Sequence, residues 1–391
     1  MMNVGQIEKE VCCGCTACVS VCKFNAITMR ADKEGFLYPV VNSEQCSNCG
    51  QCVQVCTSKA TLKSAVVSAY AAKNTDMAQL MKSSSGGVSR ALCTEVICGG
   101  GVVYGVRYNE HNEVINYRAA TEEECDSFYG SKYVQTNPLN TFREVEKDLK
   151  DEKKVLFFGT SCHIAGLIRF LQANRVDISK LYTVDLICHG VPSPRLFRDY
   201  INFLSKRSEV DHVAFRTKAL PWGYGSKNYG CTVFYKNGQK EIGTARAWIF
   251  LLLFFSNNCL RPHCHRCDFA TVDKPSDMTI ADYWGCKEEE LDFFDENGVS
   301  AILVHSRKGE ELLTQCASLK IKKTSVDKIS KRQGNLLSPS LVSDRRESFW
   351  ETYFKFGFLG IAKKYGGYNF KGKIRRTRLY KIYLSIRGKA M

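Results

Sequence analysis

The sequence predicts an α+β chain in which a small cysteine-dense module precedes a larger α/β core. Eight cysteines near the N-terminus form two copies of one spacing, Cys12, Cys15, Cys18, Cys22 and Cys46, Cys49, Cys52, Cys56. Beyond them, apolar runs such as Lys154–Phe158 and Leu181–Ile187 each end in a turn of small or polar residues, as strands do where they feed helices. With 391 residues, 44% of them hydrophobic, the chain is long and apolar enough for two or three packed domains.

Each cysteine copy reads C-x2-C-x2-C-x3-C, a spacing that wraps three thiolates around one iron–sulfur cube and sends the fourth to the neighbouring cube. Cys12, Cys15, Cys18 and Cys56 are therefore expected to hold one [4Fe-4S] cluster, and Cys46, Cys49, Cys52 and Cys22 a second. The module is then a bacterial-type two-cluster ferredoxin domain over about residues 1–62. A disulfide framework would need an exported chain, and Met1–Glu10 has no apolar signal region. A zinc ribbon uses pairs of C-x2-C rather than triplets. Proline commonly follows the fourth cysteine of this motif; here Lys23 and Thr57 do, which alters a turn without removing a ligand. Cys13 has no place in the pattern.

Within the module each triplet is followed by a short helix and an apolar exit, Ala26–Met29 and Ala60–Leu62. Gly35–Val41 is a strand-turn piece joining the copies. Lys63–Asp76 leads into a core whose first part covers about 75–150. There Ser83, Ser84, Ser85, Gly86 and Gly87 precede Val88, Leu92, Val96 and Ile97, spaced as one face of a helix. Small residues at a helix start expose backbone N–H groups suited to an anion, although serines there also serve as ordinary caps. Strands are expected at Gly101–Tyr108 and Val114–Arg118, then a polar aromatic loop, Tyr129–Tyr133.

The second part of the core, 151–345, opens with the strand Lys154–Phe158. It runs into Gly159-Thr160-Ser161-Cys162-His163 and a helix over Ile164–Leu171. The strand Leu181–Ile187 ends in Cys188-His189-Gly190-Val191-Pro192-Ser193-Pro194. Strand ends that open helices are where α/β folds place ligands. Ordinary turn chemistry explains the glycines and prolines, but not a cysteine at both tips. Trp248–Phe255 is a buried element, and Pro275–Gly285 a strand ending in Asp282, which is suited to orienting a ligand or a basic residue.

Cys259, Cys264 and Cys267 form a second constellation, C-x4-C-x2-C, three thiolates short of a fourth ligand. Cys162 and Cys188 are the candidates to complete it, Cys162 being favoured because its turn is tighter and opens a helix. A third [4Fe-4S] cluster is the expectation; zinc, with His263 or His265, is the alternative.

The formal charge of +15 overstates the basicity of the loaded protein, because each oxidised cluster with its four thiolates carries about −2. Much of the excess lies in a basic aromatic tail over 346–391. Its lysines and arginines interleave with Leu379, Tyr380, Ile382, Tyr383 and Ile386, a pattern open to peripheral membrane contact, to an acidic electron donor or to plain solvation. No nucleic-acid motif accompanies the charge. No apolar run approaches the roughly 20 residues of a membrane span. Oxygen-sensitive clusters and scattered free thiols suit the cytoplasm.

Taken together, Ser84-Ser85-Gly86-Gly87, Gly130-Ser131-Lys132-Tyr133, Gly159-Thr160-Ser161-Cys162, Cys188–Ser193, the Cys259/Cys264/Cys267 set and Asp277–Gly285 resemble the coenzyme F-420 hydrogenase/dehydrogenase beta-subunit family, here behind a two-cluster ferredoxin domain. The resemblance implies an iron–sulfur flavoprotein oxidoreductase with FAD bound in an α/β flavin-binding core beside a [4Fe-4S] cluster. It also implies electron exchange with a donor protein, such as a ferredoxin or a redox-complex subunit, and an organic small-molecule substrate. Similar chains often accompany bacterial surface-polysaccharide synthesis. The turn at Gly159 departs from the usual family sequence, with Ser161 where proline is common and His163 where glutamine is.

On this resemblance Ser84, Ser85, Gly86 and Gly87 are expected near the FAD phosphates. Lys132 supplies positive charge there or near the isoalloxazine, and Ser131, Tyr133, Gly159 and Thr160 join the site. His189 is the candidate for proton delivery, since an unperturbed pKa of about 6.5 suits that role; a turn histidine is the alternative. Two other readings stay open: a deazaflavin-dependent oxidoreductase that requires F-420, and an electron-transfer subunit without chemistry of its own.

Overall fold

The computed structural model describes residues 3–58, 62–138, 140–219, 222 and 230–370. In the N-terminal module the sequence repeat is also a backbone repeat. Gly14 and Thr16 flank Cys15 with φ of 77° and 65°, and Asn48 and Gly50 flank Cys49 with φ of 55° and 75°. These left-handed residues curl the chain around the middle cysteine of each triplet, and at Gly14 a side chain would be both strained and crowded. An added Cβ there would stand 2.7 Å from Gln135 Nε2 and 3.0 Å from an Arg261 nitrogen. Short helices follow, Ala17–Val21 and Gln51–Gln54. β1 (Ile27–Ala31) and β2 (Leu37–Val41) pair antiparallel between the copies, with Ile27 opposite Val41. The first expected apolar exit thus enters β1, while most of the second, Ala60–Leu62, lies outside the described residues.

The core is one eight-stranded mixed sheet. Its strands are β3 (Ser68–Asn74), β4 (Val102–Tyr108), β5 (Val114–Ala119), β6 (Val155–Phe158), β7 (Leu181–Leu186), β11 (Met278–Asp282), β12 (Ser300–Val304) and β13 (Leu319–Thr324). A three-stranded sheet, β8 (Val210–Thr217), β9 (Gly230–Tyr235) and β10 (Lys240–Ile242), is inserted between β7 and β11. The large sheet runs β13-β3-β12-β11-β7-β6-β4-β5. The four strands at its centre, β4, β6, β7 and β11, are parallel, and those outside pair antiparallel. Both parts of the core expected from the sequence thus contribute strands to a single sheet.

Parallel central strands are covered on both faces, which is why Val155, Leu156 and Phe157 are fully buried in succession. The helix expected at Ile164–Leu171 spans Ser161–Ala173, so Cys162 sits in its first turn. Trp248–Phe255 belongs to a helix, Ala245–Phe255, capped by the Thr244 side chain. Its all-round apolar surface packs against Phe197, Tyr200 and Phe215. The first part of the basic aromatic tail is also packed. The helix Arg346–Lys364, broken at Gly357 (φ 62°), buries Phe349, Trp350, Tyr353, Phe358 and Ile361. Residues 371–391, which carry most of the tail's charge, lie outside the described residues. Among the described residues no helix is long and apolar enough to cross a membrane.

Candidate functional site

The cysteines of the module lie in two neighbouring groups, with Cys18 of one close enough to sense Cys52 of the other. Cys22, Cys46, Cys49 and Cys52 line one cavity together with Phe24 and Ile27. The Cys12 and Cys18 thiols interact with each other and with Cys56, and Cys15 with Cys18. Backbone amides point at the sulfurs in register, Ala17 N–H toward Cys15 and Gln51 N–H toward Cys49, 34 residues on in each case. Such N–H donors favour thiolate, the form that binds iron, and tune a cluster's potential. The residues therefore fit two cubanes. The first site is buried and the second lies at the surface, where Cys49 is exposed. Burial pushes the Cys12 thiol up to about 11 against the opposing pull of Arg261.

A third group forms around the C-terminal ends of β6 and β7. Cys162 lies just after β6, Cys188 just after β7, and Cys264 and Cys267 on the short helical turn Pro262–Arg266 and its end. Their thiols sense one another: Cys264 is raised by burial and by Cys188 and Cys267, Cys188 to about 11 by burial and by Cys267, and Cys162 by Cys13, burial and Cys267. Val191 N–H donates to Cys264 Sγ at 3.4 Å. The buried Lys274 adds positive charge beside Cys188 and Cys267. Cys259 stands apart. It is fully buried in the apolar core, its Sγ 3.3 Å from the Leu253 carbonyl, and the charges it senses are Arg346 and Glu34 rather than these four thiols. Among the described residues no three His, Cys, Asp or Glu side chains close on one point as ligands of a single ion do.

Two features join the first group to the third. Cys13, buried, lies within hydrogen-bonding reach of the Cys15 thiol on one side and the Cys162 thiol on the other, with Thr57 Oγ1 3.5 Å away. The helix that begins at Ser161 passes so close to the module that a Cβ on Gly166 would stand 2.8 Å from Cys15 Sγ. Arg261, fully buried, ties the same contact together through Cys12 O at 2.7 Å, Cys12 Sγ at 3.4 Å, Leu37 O at 2.9 Å and Gln135 Oε1 at 3.0 Å.

Of the residues expected around a flavin, Ser84–Gly87, Ser131 and Tyr133 gather at the C-terminal edge of the large sheet. Ser84 Oγ accepts from Ser131 N at 3.0 Å, and Ser85 Oγ donates to Val299 O at 3.1 Å. Gly86 is pressed against the sheet, where a Cβ would meet Ala72 O at 2.4 Å; Gly87 (φ 79°) caps the helix Val88–Cys98. Beside them Arg216 forms a fork with Asp282 at 2.8 and 2.9 Å, Trp222 Nε1 donates to Asp282 at 2.8 Å, and Trp222 stacks on Trp284 with centroids 5.3 Å apart. Tyr133 stacks on Phe254 at 5.0 Å. Lys218 donates to Ser85 O at 2.9 Å, and burial lowers its amine to about 8.

Lys132 is otherwise engaged. Its amine donates to the Ser127, Tyr129 and Gly130 carbonyls, and burial lowers it to about 7. Gly159 packs against Phe157, and Thr160 Oγ1 lies 3.2 Å from Cys162 Sγ, on the third cysteine group rather than beside Ser84. Both His189 ring nitrogens meet amide oxygens, Asn257 Oδ1 at 2.8 Å and Asn335 Oδ1 at 3.1 Å, which fits a histidine that holds its turn.

Sequence reasoning did not single out Arg216, Lys218, Arg261, Gly166 or Lys274. For two of them a signal existed: an arginine between ligand-spaced cysteines, and a glycine inside a helical run. Arg216 and Lys218 lie on or beside an ordinary strand with no motif.

Cysteine groups that lead from the surface into an α/β core define an iron–sulfur electron-transfer protein of oxidoreductase type. Comparison with known families agrees. Residues 11–60 match the 4Fe-4S dicluster domain, and residues 152–328 match the family described as the C terminus of the coenzyme F420 hydrogenase/dehydrogenase beta subunit. The chain thus carries the C-terminal domain of that beta-subunit family behind a dicluster domain. Among solved structures, a chain of the F420-reducing [NiFe] hydrogenase complex from Methanosarcina barkeri is similar at 16% identity and a TM-score of 0.48, covering 76% of this chain and 95% of that one. A likeness of that strength extends to neither cofactor nor substrate. No curated protein matches.

Proposed function

We propose that the protein is an iron–sulfur flavoprotein oxidoreductase. On this reading the two module clusters and a third [4Fe-4S] cluster would relay electrons to a bound FAD, which would supply the chemistry for reducing an organic substrate; bacterial surface-polysaccharide synthesis is the setting that similar chains suggest. The observation that carries this reading is the unbroken succession of cysteines. It leads from exposed Cys49 and its neighbour Cys52, through Cys18 of the first group and Cys13, to Cys162 at the C-terminal edge of the sheet. For the third cluster the ligand set supported by position is Cys162, Cys188, Cys264 and Cys267, with Cys188 in place of Cys259.

Clusters pass single electrons, whereas a bound flavin stores two and supplies hydride chemistry. This chain's residues would hold it at the edge formed by Ser84–Gly87, Ser131, Tyr133 and Arg216, with Asp282 fixing the guanidinium and Trp222 and Trp284 offering an aromatic wall. The test is anaerobic purification, acid release of the non-covalent cofactor and its identification by absorbance and mass. FAD in stoichiometric amount is expected. Full cluster occupancy without flavin refutes the enzymatic reading and leaves an electron-transfer subunit. The description of the matched family favours a second reading, with F-420 as the soluble redox partner; turnover that depends on added F-420 distinguishes it.

A further inference from the structure

An open groove of about 710 Å³ runs between the N-terminal module and the helices Thr141–Lys150 and Ser161–Ala173. Cys22, an expected ligand of the surface cluster, lines it, and four basic side chains, Lys23, Arg143, Lys150 and Arg175, face a single acid, Glu146. Arg143 is fixed in place, donating to the carbonyls of Ser20 at 3.0 Å, Cys22 at 3.3 Å and Val19 at 3.4 Å. Glu146 is already paired with Lys150 at 2.7 Å. Phe24, which lies in the chain between the groove residues Lys23 and Asn25, is 53% exposed and lines the cavity of Cys22, Cys46, Cys49 and Cys52.

We propose that this groove docks an acidic one-electron carrier protein. The inference deepens the electron-relay reading above and rests on it. An oxidised cluster with four thiolates carries about −2 and by itself repels an acidic donor. The basic groove reverses that sign beside a cysteine group that reaches the surface, and the exposed Phe24 supplies an apolar anchor. A cubane accepts one electron at a time, so a hydride carrier is chemically mismatched to this point of arrival, whereas a reduced iron–sulfur or semiquinone carrier is matched.

The test uses the anaerobic holoprotein, with cluster content verified by iron analysis and electron paramagnetic resonance. It is mixed by stopped flow with a reduced acidic [2Fe-2S] ferredoxin of the plant type and, separately, with dithionite. For the wild type, reduction by ferredoxin is expected to slow steeply as salt is added. Lys150→Glu and Arg175→Glu are each expected to lower its rate about tenfold at low ionic strength and to flatten the salt dependence. Lys240→Glu, an exposed reversal outside the groove, is expected to leave the ferredoxin rate at the wild-type value. No loss in the groove variants, or an equal loss in Lys240→Glu, overturns the proposal. A wild type that dithionite reduces and ferredoxin does not also overturns it. A protein lacking reducible clusters fails earlier, taking the electron-relay reading down with it.

Discussion

Replacing Arg261 with methionine separates the structural and electrostatic roles of the buried arginine. Its guanidinium makes four hydrogen bonds, lies 4.3 Å from the Tyr38 ring centroid and is fully buried. Methionine fills much of the space but leaves Cys12 O, Leu37 O and Gln135 Oε1 without their donor. Removing one partner from such a buried charged network costs about 3–5 kcal/mol. The electrostatic part acts on redox potential. Spread over a cubane, an added electron sits about 5 Å from the charge, and at an effective dielectric near 20 the interaction is ~3 kcal/mol. For one electron that corresponds to a fall on the order of 0.1 V. Arg261 also acts on Cys264, so the first and third clusters are both expected to move. The surface cluster, whose cysteines lie away from Arg261, serves as the internal reference. The assay is a redox titration of the anaerobic holoprotein followed by electron paramagnetic resonance. Arg261→Lys is expected to keep most of the potential while losing some of the guanidinium's four hydrogen bonds. If Arg261→Met leaves every potential within roughly 20 mV of wild type, or raises it, the charge is not felt by the clusters and the reasoning fails.

Cys162→Ser, Cys188→Ser, Cys264→Ser and Cys267→Ser are each expected to lower bound iron by about four atoms per chain, whereas Cys259→Ser keeps full iron and loses only packing; iron analysis with protein quantitation decides. Gly166→Ala, ordinarily stabilising in a helix by about 1 kcal/mol, is expected here to destabilise by about 1–2 kcal/mol because its methyl meets Cys15 Sγ; anaerobic urea denaturation measures the sign. Asp282→Asn is expected to loosen Arg216 and release the flavin at least about tenfold more readily, read by flavin fluorescence on dilution. Burial pushes the Glu290 carboxyl up, but hydrogen bonds from Lys322, Lys328 and Thr324 prevail and hold it at about 2. Its stabilisation is therefore present above the ordinary value of 4.5 and lost as pH falls toward about 2, so the stability gap to Glu290→Gln narrows over that window in urea titrations at stepped pH.

The module was legible because iron–sulfur ligation is local: cysteines at fixed spacing, repeated 34 positions apart, leave little else for the chain to do. The central strands β6 and β7 were legible from their apolar runs. The third cysteine group was only partly so. Three cysteines close in sequence suggested one site, yet the chain turns between them. Cys259 ends up against the helix Ala245–Phe255 with Leu253 O, while Cys188 arrives from another strand end. Spacing alone cannot report that divergence. Lys132 shows a second limit, since a lysine in a glycine-containing loop looks free to meet an anion until its three carbonyl partners are seen. Arg216 and Asp282 lie 66 residues apart, so their pairing is a property of the sheet edge rather than of any motif.

How the module is held bears on how the relay works. A ferredoxin domain on a linker would deliver electrons by swinging between partners, and its contacts with the core would be few and solvated. Here the contact is dense and largely backbone-directed. Arg143 binds the carbonyls of Val19, Ser20 and Cys22, and Arg261 binds those of Cys12 and Leu37. His263 Nδ1 meets Glu10 O at 3.2 Å, Arg195 donates to Lys33 O at 3.1 Å, and Arg346 adds an ion pair with Glu34. Carbonyl acceptors cannot rotate away as side chains do, so each bond fixes position as well as adding energy. Together with Gly166, which admits the helix to within contact of Cys15, they lock the first cysteine group against the third. On the proposed relay, electron passage between those two sites needs no domain motion. On that proposal what remains for motion is the arrival of the donor at the exposed second group, the step that ionic strength is expected to control.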